Sequence, residues 1–305
     1  MGYLHRGMTL PQQIGPYRIL RRLGIGGMAE VFLAEAYGAS GFCKRVAIKV
    51  LLPDAAVRVD IVKSLIEEAR LGARLSHRNL IQIHDLGVAD GLYYIRMDYA
   101  DGGALSDLAI PSLKVNLDLA LYLAEEIALG LAYLHQFEDE SGRAMGLVHR
   151  DVSPSNVLLS RSGEVKLSDF GLAKVTTAAD VTRGNVRKGK YAYMSPEQIA
   201  GERATAASDQ FSFGVLLHEL VCGVRPFDGE TVHQTMANIV AANASFDSLP
   251  SALRPVVTRC LAREVTNRYP STAALLGEIS DLRRKCAASG SVVLANLLSH
   301  PRQDS

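Results

Sequence analysis

The chain is poor in cysteine. Its four cysteines, Cys43, Cys222, Cys260 and Cys286, are far apart, form no metal-ligand spacing and suggest no disulfide framework, which fits a reducing cytoplasm. It also lacks an excess of either charge. With 33 Lys+Arg against 32 Asp+Glu, the formal net charge of +1 creates no global field for nucleic acid or an anionic membrane. Long apolar runs are absent too. The most apolar stretches, residues 117–134 and 211–224, are interrupted by Glu125-Glu126 and His218-Glu219, so both read as buried helices and no membrane segment is expected in this chain. The first residues have no apolar core of the kind a signal peptide needs. No internal repeat and no low-complexity tract is visible. What remains is 305 residues, 48% of them hydrophobic, enough for one large domain or for two lobes around a cleft.

The most informative stretch is Val148-His149-Arg150-Asp151-Val152-Ser153-Pro154-Ser155-Asn156-Val157-Leu158. It puts a carboxylate and an amide side chain in one short polar loop, followed by a strand-like apolar run. Asp169-Phe170-Gly171 then places a second carboxylate in a turn behind another short run. Two acids and an amide on two turns suit a metal-bound polyphosphate with a hydroxyl positioned beside it. Singly, each is more often a turn residue bonding its own backbone; their joint spacing raises the functional reading.

Upstream, residues 1–16 read as a loose leader and Tyr17 begins a strand. Gly24-Ile25-Gly26-Gly27-Met28-Ala29-Glu30-Val31 is followed by β-prone Phe32-Leu33-Ala34, so the glycines sit in a hairpin. A dinucleotide fingerprint needs a helix there instead. Such a hairpin either covers a phosphate or is simply a tight turn. Val46-Ala47-Ile48-Lys49-Val50 is a strand with one cation among apolar residues, and a lone lysine of that kind usually faces solvent. Residues 60–75 are helical in period. Ile61, Leu65, Glu68, Gly72 and Leu75 share one stripe, whereas Glu67 sits in a ladder with Lys63 and Arg70, so Glu68 reads as the inward acid, with a surface glutamate at the edge of the stripe as the alternative. Residues 80–88 and 92–97 read as strands and 117–135 as a buried helix. Residues 137–145 read as an exposed turn, and 285–305 as a frayed tail with a short apolar helix at 292–298.

These motifs, in this order, resemble the eukaryotic-like (Hanks-type) bacterial serine/threonine protein kinase family, from about Tyr17 to about Leu282. The resemblance implies an α+β, bilobal protein-kinase-like fold. Residues 17–284 would form the kinase domain, with a small, mainly antiparallel β N-lobe carrying one key helix (17–98) and a larger, mainly α-helical C-lobe (99–284). It implies ATP and Mg²⁺ as cofactors. ATP would be bound by Leu23, Gly24, Gly26, Gly27, Val31, Ala47, Lys49, by the connection Met97, Asp98, Tyr99 and Ala100, by Leu158 under the adenine, and by Asp169. Asn156 and Asp169 would hold the metal, Asp151 would take or orient the acceptor proton, and Glu68 would hold Lys49. Asp209 would anchor the catalytic loop, or serve as a helix N-cap, and Arg268 would pair with Glu197. Thr182, with Thr176 and Thr177 as alternatives, would be autophosphorylated and answered by Arg150, Arg183, Arg187 or Lys188. The implied partners are protein substrates and a second kinase copy for phosphorylation in trans, with no nucleic acid.

This sequence departs from the family at three places. The third glycine of the hairpin is Ala29, a small change. The lysine usual two residues after the catalytic aspartate is Ser153, and the threonine usual in the substrate-binding turn is Lys190. Either the two compensate, Lys190 reaching the phosphate while Ser153 supplies the hydroxyl, or Ser153 is tolerated and Lys190 faces solvent. The reading is therefore a cytoplasmic Ser/Thr protein kinase. Its rivals are a nucleotide-binding pseudokinase acting as a scaffold and, less in keeping with the activation segment, a small-molecule phosphotransferase.

Overall fold

A computed structural model of the chain describes residues 10–108, 115–170, 189–286 and 290–299. They fall into two compact units. One holds the described chain through Ser76 together with Ile81–Tyr99; the other holds His77–Leu80 and the chain from Ala100 onward. The sequence-based boundary at 98/99 thus moves by one residue, and His77–Leu80 belongs to the second unit. The cause of that excursion is visible. The buried Asn79 side chain donates to Glu126 Oε2 at 2.7 Å and to the Val165 carbonyl at 2.9 Å, while Leu80 bridges Leu167.

The first unit is a six-stranded antiparallel sheet in the order β1-β2-β3-β4-β6-β5. Its strands are β1 (Gln13–Ile14), β2 (Tyr17–Ile25), β3 (Ala29–Tyr37), β4 (Cys43–Leu51), β5 (Ile83–Ala89) and β6 (Leu92–Asp98). The short helix α1 (Pro53–Ala56) precedes α2 (Val59–Gly72). One core gathers Ile14, Tyr17, Phe32, Ile48 and Tyr94 from five strands. Part of the expected loose leader is therefore structured: Ile14 pairs with Tyr17 and is 3% exposed, since an apolar side chain beside the sheet edge gains by burial. The α2 glycine also has a packing reason. A Cβ on Gly72 would lie 2.4 Å from Ile83 Cδ1, so the missing side chain lets helix and strand touch. The strand expected at 80–88 begins only at Ile83, because Leu80 is engaged in the second unit.

The second unit is mainly helical. A three-stranded sheet, β7 (Gly103–Ala104), β8 (Val157–Leu159) and β9 (Val165–Leu167), lies against α3 (Leu117–His135). Further helices are α4 (Pro196–Ile199), α5 (Ala206–Cys222), α6 (Val232–Ala241), α7 (Arg254–Cys260), α8 (Thr272–Arg284) and α9 (Gly290–Ser299). Helices α3 and α5 are apolar almost all round and are the buried axes of the unit, which is what their sequences require. The tail helix is docked rather than frayed: α9 packs on α3 with Leu294 fully buried.

A buried ion pair ties α4 to the loop before α8. The Arg268 guanidinium, with a fully buried side chain, donates to Glu197 Oε1 at 2.8 Å and Oε2 at 2.9 Å, and Ser208 Oγ adds a third bond at 2.7 Å. Burial alone would raise the Glu197 pKa, but the hydrogen bonds from Arg268 and Ser208 hold it below the usual glutamate value. A depressed carboxylate pKa gives stability that is fully present above the unfolded value, about 4.3, and is lost as pH falls through the folded value. Arg268→Ala should cost about 3–5 kcal/mol at neutral pH, because it strands a buried carboxylate. With the cation gone, burial raises the Glu197 pKa and the penalty shrinks on acidification, so the gap between variant and wild type in urea unfolding should narrow from pH 7 to about pH 5. A gap that is constant with pH would contradict this account.

Candidate active site

In the first unit the glycine loop is a hairpin, with Ile25 opposite Glu30 and Gly26 N–H donating to the Ala29 carbonyl at 2.7 Å. No helix follows the glycines. A Cβ on Gly24 or Gly27 would meet nothing within 4 Å, so these positions leave open space above the backbone. Leu23 and Val31 are half-buried on the two strands, and Val31 stands opposite Lys49 across the β3–β4 ladder. Ala47, 4% exposed, lies two residues before Lys49 on β4. Lys49 Nζ donates to Glu68 Oε1 at 2.7 Å, with the two side chains 15% and 18% exposed. Glu67 is exposed, as its place on the outer face of α2 requires. Pairing offsets the cost of desolvating the ammonium and restrains where its remaining donors point.

The connecting strand ends at Met97, 9% exposed, and Asp98. The Asp98 carboxylate is occupied by His84 Nε2 at 2.8 Å and Lys44 Nζ at 3.5 Å, and Tyr99 Oη accepts from Arg21 at 3.3 Å. Ala100 begins the second unit.

In the second unit the segment that carries Asp151 hangs from one carboxylate. Asp209, fully buried near the start of α5, accepts from His149 N–H at 2.7 Å through Oδ2 and from Arg150 N–H at 2.8 Å through Oδ1. These two bonds hold Arg150 at φ 67°, a left-handed conformation that a non-glycine residue adopts only when its surroundings impose it. Gln198 Nε2 donates to the Arg150 carbonyl at 3.2 Å. The strained residue is thus gripped at both ends, and Asp151 follows it, its N–H donating to His149 Nδ1 at 3.3 Å.

Asn156, 2% exposed, donates through Nδ2 to the Asp151 carbonyl at 2.7 Å, which leaves Oδ1 as its acceptor. The β8–β9 hairpin pairs Val157 with Leu167, and Ser168 N–H donates to the Asn156 carbonyl at 2.9 Å. Asn156 and Asp169 therefore emerge at the same end of one hairpin. Asp169 is exposed at φ 54°, while Phe170 turns inward, 2% exposed, with its ring 5.7 Å from that of His149. One amide oxygen beside one carboxylate is a hard donor set that fits Mg²⁺, which takes few protein ligands and keeps water and phosphate oxygens. Leu158 is half-buried on β8, opposite Ala104.

Ser153 is buried, its Oγ 3.1 Å from Ser155 Oγ. The backbone of Lys190 begins a 3₁₀ turn after Gly189, but its side chain, like Thr176, Thr177, Thr182, Arg183, Arg187 and Lys188, lies outside the described residues. That turn is held by Tyr193. Its carbonyl accepts from Ser212 Oγ at 2.7 Å, and its hydroxyl donates to Glu219 Oε2. Burial pushes both the Tyr193 phenol and the Glu219 carboxyl up in pKa.

Sequence reasoning missed His135 and Gln198. His135 ends α3 and joins Asp209 Oδ2 at 2.8 Å to Thr272 Oγ1 at 2.8 Å, so α3 and α8 both brace the loop anchor. A histidine in a last helical turn is explained locally by the helix dipole, and nothing in the sequence points to partners that far along the chain. Gln198 completes a capping box with Ser195, which was a legible signal for a helix start but not for the contact with Arg150.

A lysine paired with a helix glutamate, a loop aspartate hung from a buried acid, and an asparagine beside a turn aspartate are the parts of a phosphotransferase of protein-kinase type. Residues 17–278 match the protein kinase domain family, and the chain belongs to it. The chain is 38% identical over 301 residues to the tyrosine-protein kinase MasK of Myxococcus xanthus, covering 95% of this chain and 47% of that protein. It is 33% identical over 270 residues to the serine/threonine-protein kinase PrkC of Bacillus subtilis, covering 87% of this chain and 40% of that one. Against the serine/threonine-protein kinase PknA of Mycobacterium tuberculosis the identity is 32% over 284 residues, covering 91% and 63%. The chain thus spans between 40% and 63% of the length of these relatives. Among solved structures, the PknI kinase domain of Mycobacterium tuberculosis superposes with a TM-score of 0.63 at 26% identity, covering 90% of this chain and all of that one, and so shares its protein-kinase fold.

Asp209→Asn keeps the shape but removes the charge and turns one acceptor into a donor. The His149 and Arg150 amides should then exchange with solvent faster, and phosphoryl transfer should fall by about 100-fold while ATP binding stays near wild type. Unchanged exchange and turnover would mean that the loop is held by something else.

Proposed function

We propose that the chain transfers the γ-phosphate of ATP to serine and threonine hydroxyls of proteins in the cytoplasm, and that it autophosphorylates its activation segment in trans. The observation that carries this reading is the β8–β9 hairpin, which brings Asn156 and Asp169 out together beside the Asp151 loop. The serine/threonine names of PrkC and PknA support the acceptor class. The absence, among the described residues, of any helix long and apolar enough to cross a membrane is compatible with this setting.

The proposed chemistry needs little from the protein beyond placement and charge. Lys49, held by Glu68, binds the non-transferred phosphate oxygens, and the backbone of Gly24–Gly27 covers them. Backbone groups of Met97–Ala100 bind the adenine, with Val31, Ala47 and Leu158 as its apolar walls. Asp151 accepts the proton of the acceptor hydroxyl as that oxygen forms its bond to the γ-phosphorus. The bond from phosphorus to the β–γ bridging oxygen breaks, and ADP leaves with the electron pair. Asn156 Oδ1 and the Asp169 carboxylate would hold Mg²⁺, which when bound neutralises charge on the phosphates. An arginine-answered phosphate at Thr182 would order the activation segment.

A second acceptor reading has a specific basis. The relative at 38% identity is named a tyrosine-protein kinase, and this loop has Ser153 where Ser/Thr kinases usually carry lysine. Tyrosine as acceptor requires no other change in the proposed roles.

Incubation with labelled ATP and Mg²⁺ should label the chain or a generic protein substrate. Asp169→Ala and Asp151→Asn should reduce transfer by at least about 100-fold, with nucleotide binding largely kept in Asp151→Asn. Phosphoamino-acid analysis should return phosphoserine and phosphothreonine; phosphotyrosine would select the second reading. Binding without any transfer would mean a scaffold.

The Ser153–Lys190 exchange has its own outcome. If Lys190 serves the transferred phosphate, Lys190→Ala should lower kcat by about 10-fold or more, and Ser153→Lys in that background should restore part of it. Unchanged turnover in Lys190→Ala would show that the lysine is a surface residue.

A further inference from the structure

Helix α9 lies beyond residues 17–278, the part of the chain that matches the protein kinase domain family. It nevertheless has a prepared seat in the second unit. Two glycines mark that seat, Gly163 and Gly102, and a third, Gly290, opens the helix itself. A Cβ on Gly290 would lie 2.3 Å from Tyr122 Cβ on α3. A Cβ on Gly163, in the β8–β9 turn, would lie 2.5 Å from the Ser291 carbonyl oxygen. One on Gly102 would be 3.0 Å from Leu298 Cδ1, as well as 2.7 Å from the Leu159 carbonyl oxygen. Backbone and helix approach this closely only because all three side chains are missing. Leu294 is fully buried between these contacts, and Tyr122 Oη donates to the Gly163 carbonyl at 2.7 Å, tying α3 to the same turn.

The contact made by Leu298 matters for function. Asp101-Gly102-Gly103 follows directly on Met97–Ala100, the backbone proposed to bind adenine. With two adjacent glycines, and Gly103 at φ 85°, this stretch has little conformational preference of its own. Its order comes from outside. Gly102 N–H donates to the Leu159 carbonyl at 2.8 Å, and Asp101 Oδ1 accepts from Arg161 N–H at 2.8 Å. Both partners belong to the β8–β9 hairpin and its turn, and α9 covers that turn at Gly163 while covering Gly102 through Leu298. The helix thus closes over both sides of the Asp101–Arg161 clamp.

We infer that α9 is a positioning element for ATP: by seating Leu298 on Gly102 and its own first turn on Gly163, it fixes the glycine segment next to the adenine-binding backbone. The inference rests on the kinase reading above, and it concerns ATP affinity rather than phosphoryl transfer. Residues 101–103 are the part of the proposed nucleotide site that α9 touches directly, through Leu298 on Gly102, so its release loosens them first.

The test compares the full chain with Leu298→Asp, which removes one half-buried contact near the end of the helix, and with Leu294→Asp, which ejects the helix. Four quantities are read: KM for ATP, KM for a peptide substrate, the ADP dissociation constant by calorimetry, and amide exchange at residues 101–104. Leu298→Asp should raise KM for ATP and the ADP dissociation constant about fivefold, roughly 1 kcal/mol, while kcat, peptide KM and melting temperature stay near wild type. Amides of 101–104 should exchange faster, and Leu294→Asp should give a larger change of the same kind. Wild-type nucleotide affinity and wild-type exchange in both variants would overturn the inference while leaving the kinase reading intact. A fall in apparent kcat in proportion to the unfolded fraction, with both KM values and the ADP dissociation constant of the folded fraction unchanged, would also overturn it, since that is what a merely structural helix gives. A wild-type chain that binds no ADP would sink the kinase reading itself, and this inference with it.

Discussion

The second unit depends on one buried carboxylate. Asp209 has no exposed surface, and its two oxygens take the amides of His149 and Arg150 and the imidazole of His135. A buried acid is costly unless each lone pair finds a donor, and here the donors are the backbone of the segment that carries Asp151. The free energy that would be lost by leaving Asp209 unpaired is what holds Arg150 at its positive φ.

Around this anchor the polar groups form a connected series rather than scattered pairs. Gln198, on α4, bonds the Arg150 carbonyl, and its neighbour Glu197 takes Arg268 and Ser208. Ser212 and Glu219, further along α5, hold Tyr193 and with it the turn that begins at Gly189. Helix α5 therefore serves the Asp151 loop through Asp209 and the Gly189–Tyr193 turn through Ser212 and Glu219. Buried polar networks of this kind specify one arrangement because a partly satisfied alternative is heavily penalised. The first unit uses the same principle more sparingly, with the Lys49–Glu68 pair as its one half-buried bond between a strand cation and a helix acid among the named site residues.

Much of this was legible beforehand. The strand–glycine–strand pattern fixed a hairpin and excluded a dinucleotide fold, because Val31 and Phe32 continue in β-prone residues. The period of α2 chose Glu68 over Glu67, since steps of three and four place a residue on one face whatever lies opposite. Local rules failed where a residue's partner was distant or its backbone unusual. Ile14 looked like leader because a two-residue edge strand has no period to detect. Leu80 looked like strand because its apolar side chain fits a sheet as well as it fits the bridge to Leu167. The tail helix was visible as an apolar run, but its seat on Gly102, Gly163 and Tyr122 was not, because three glycines far apart in sequence carry no common signal.

The sequence by itself determined the family, the residue types of the site and their order, because those depend on short spacings and on side-chain chemistry that any reader of the chain can list. Only the tertiary structure decided that His135 and Gln198 brace the Asp151 loop, that His77–Leu80 leaves one unit for the other, and that α9 is docked. Each of these turns on a contact between segments far apart in the chain, and such contacts are selected by burial and by the satisfaction of polar groups in the folded state, which no local pattern encodes.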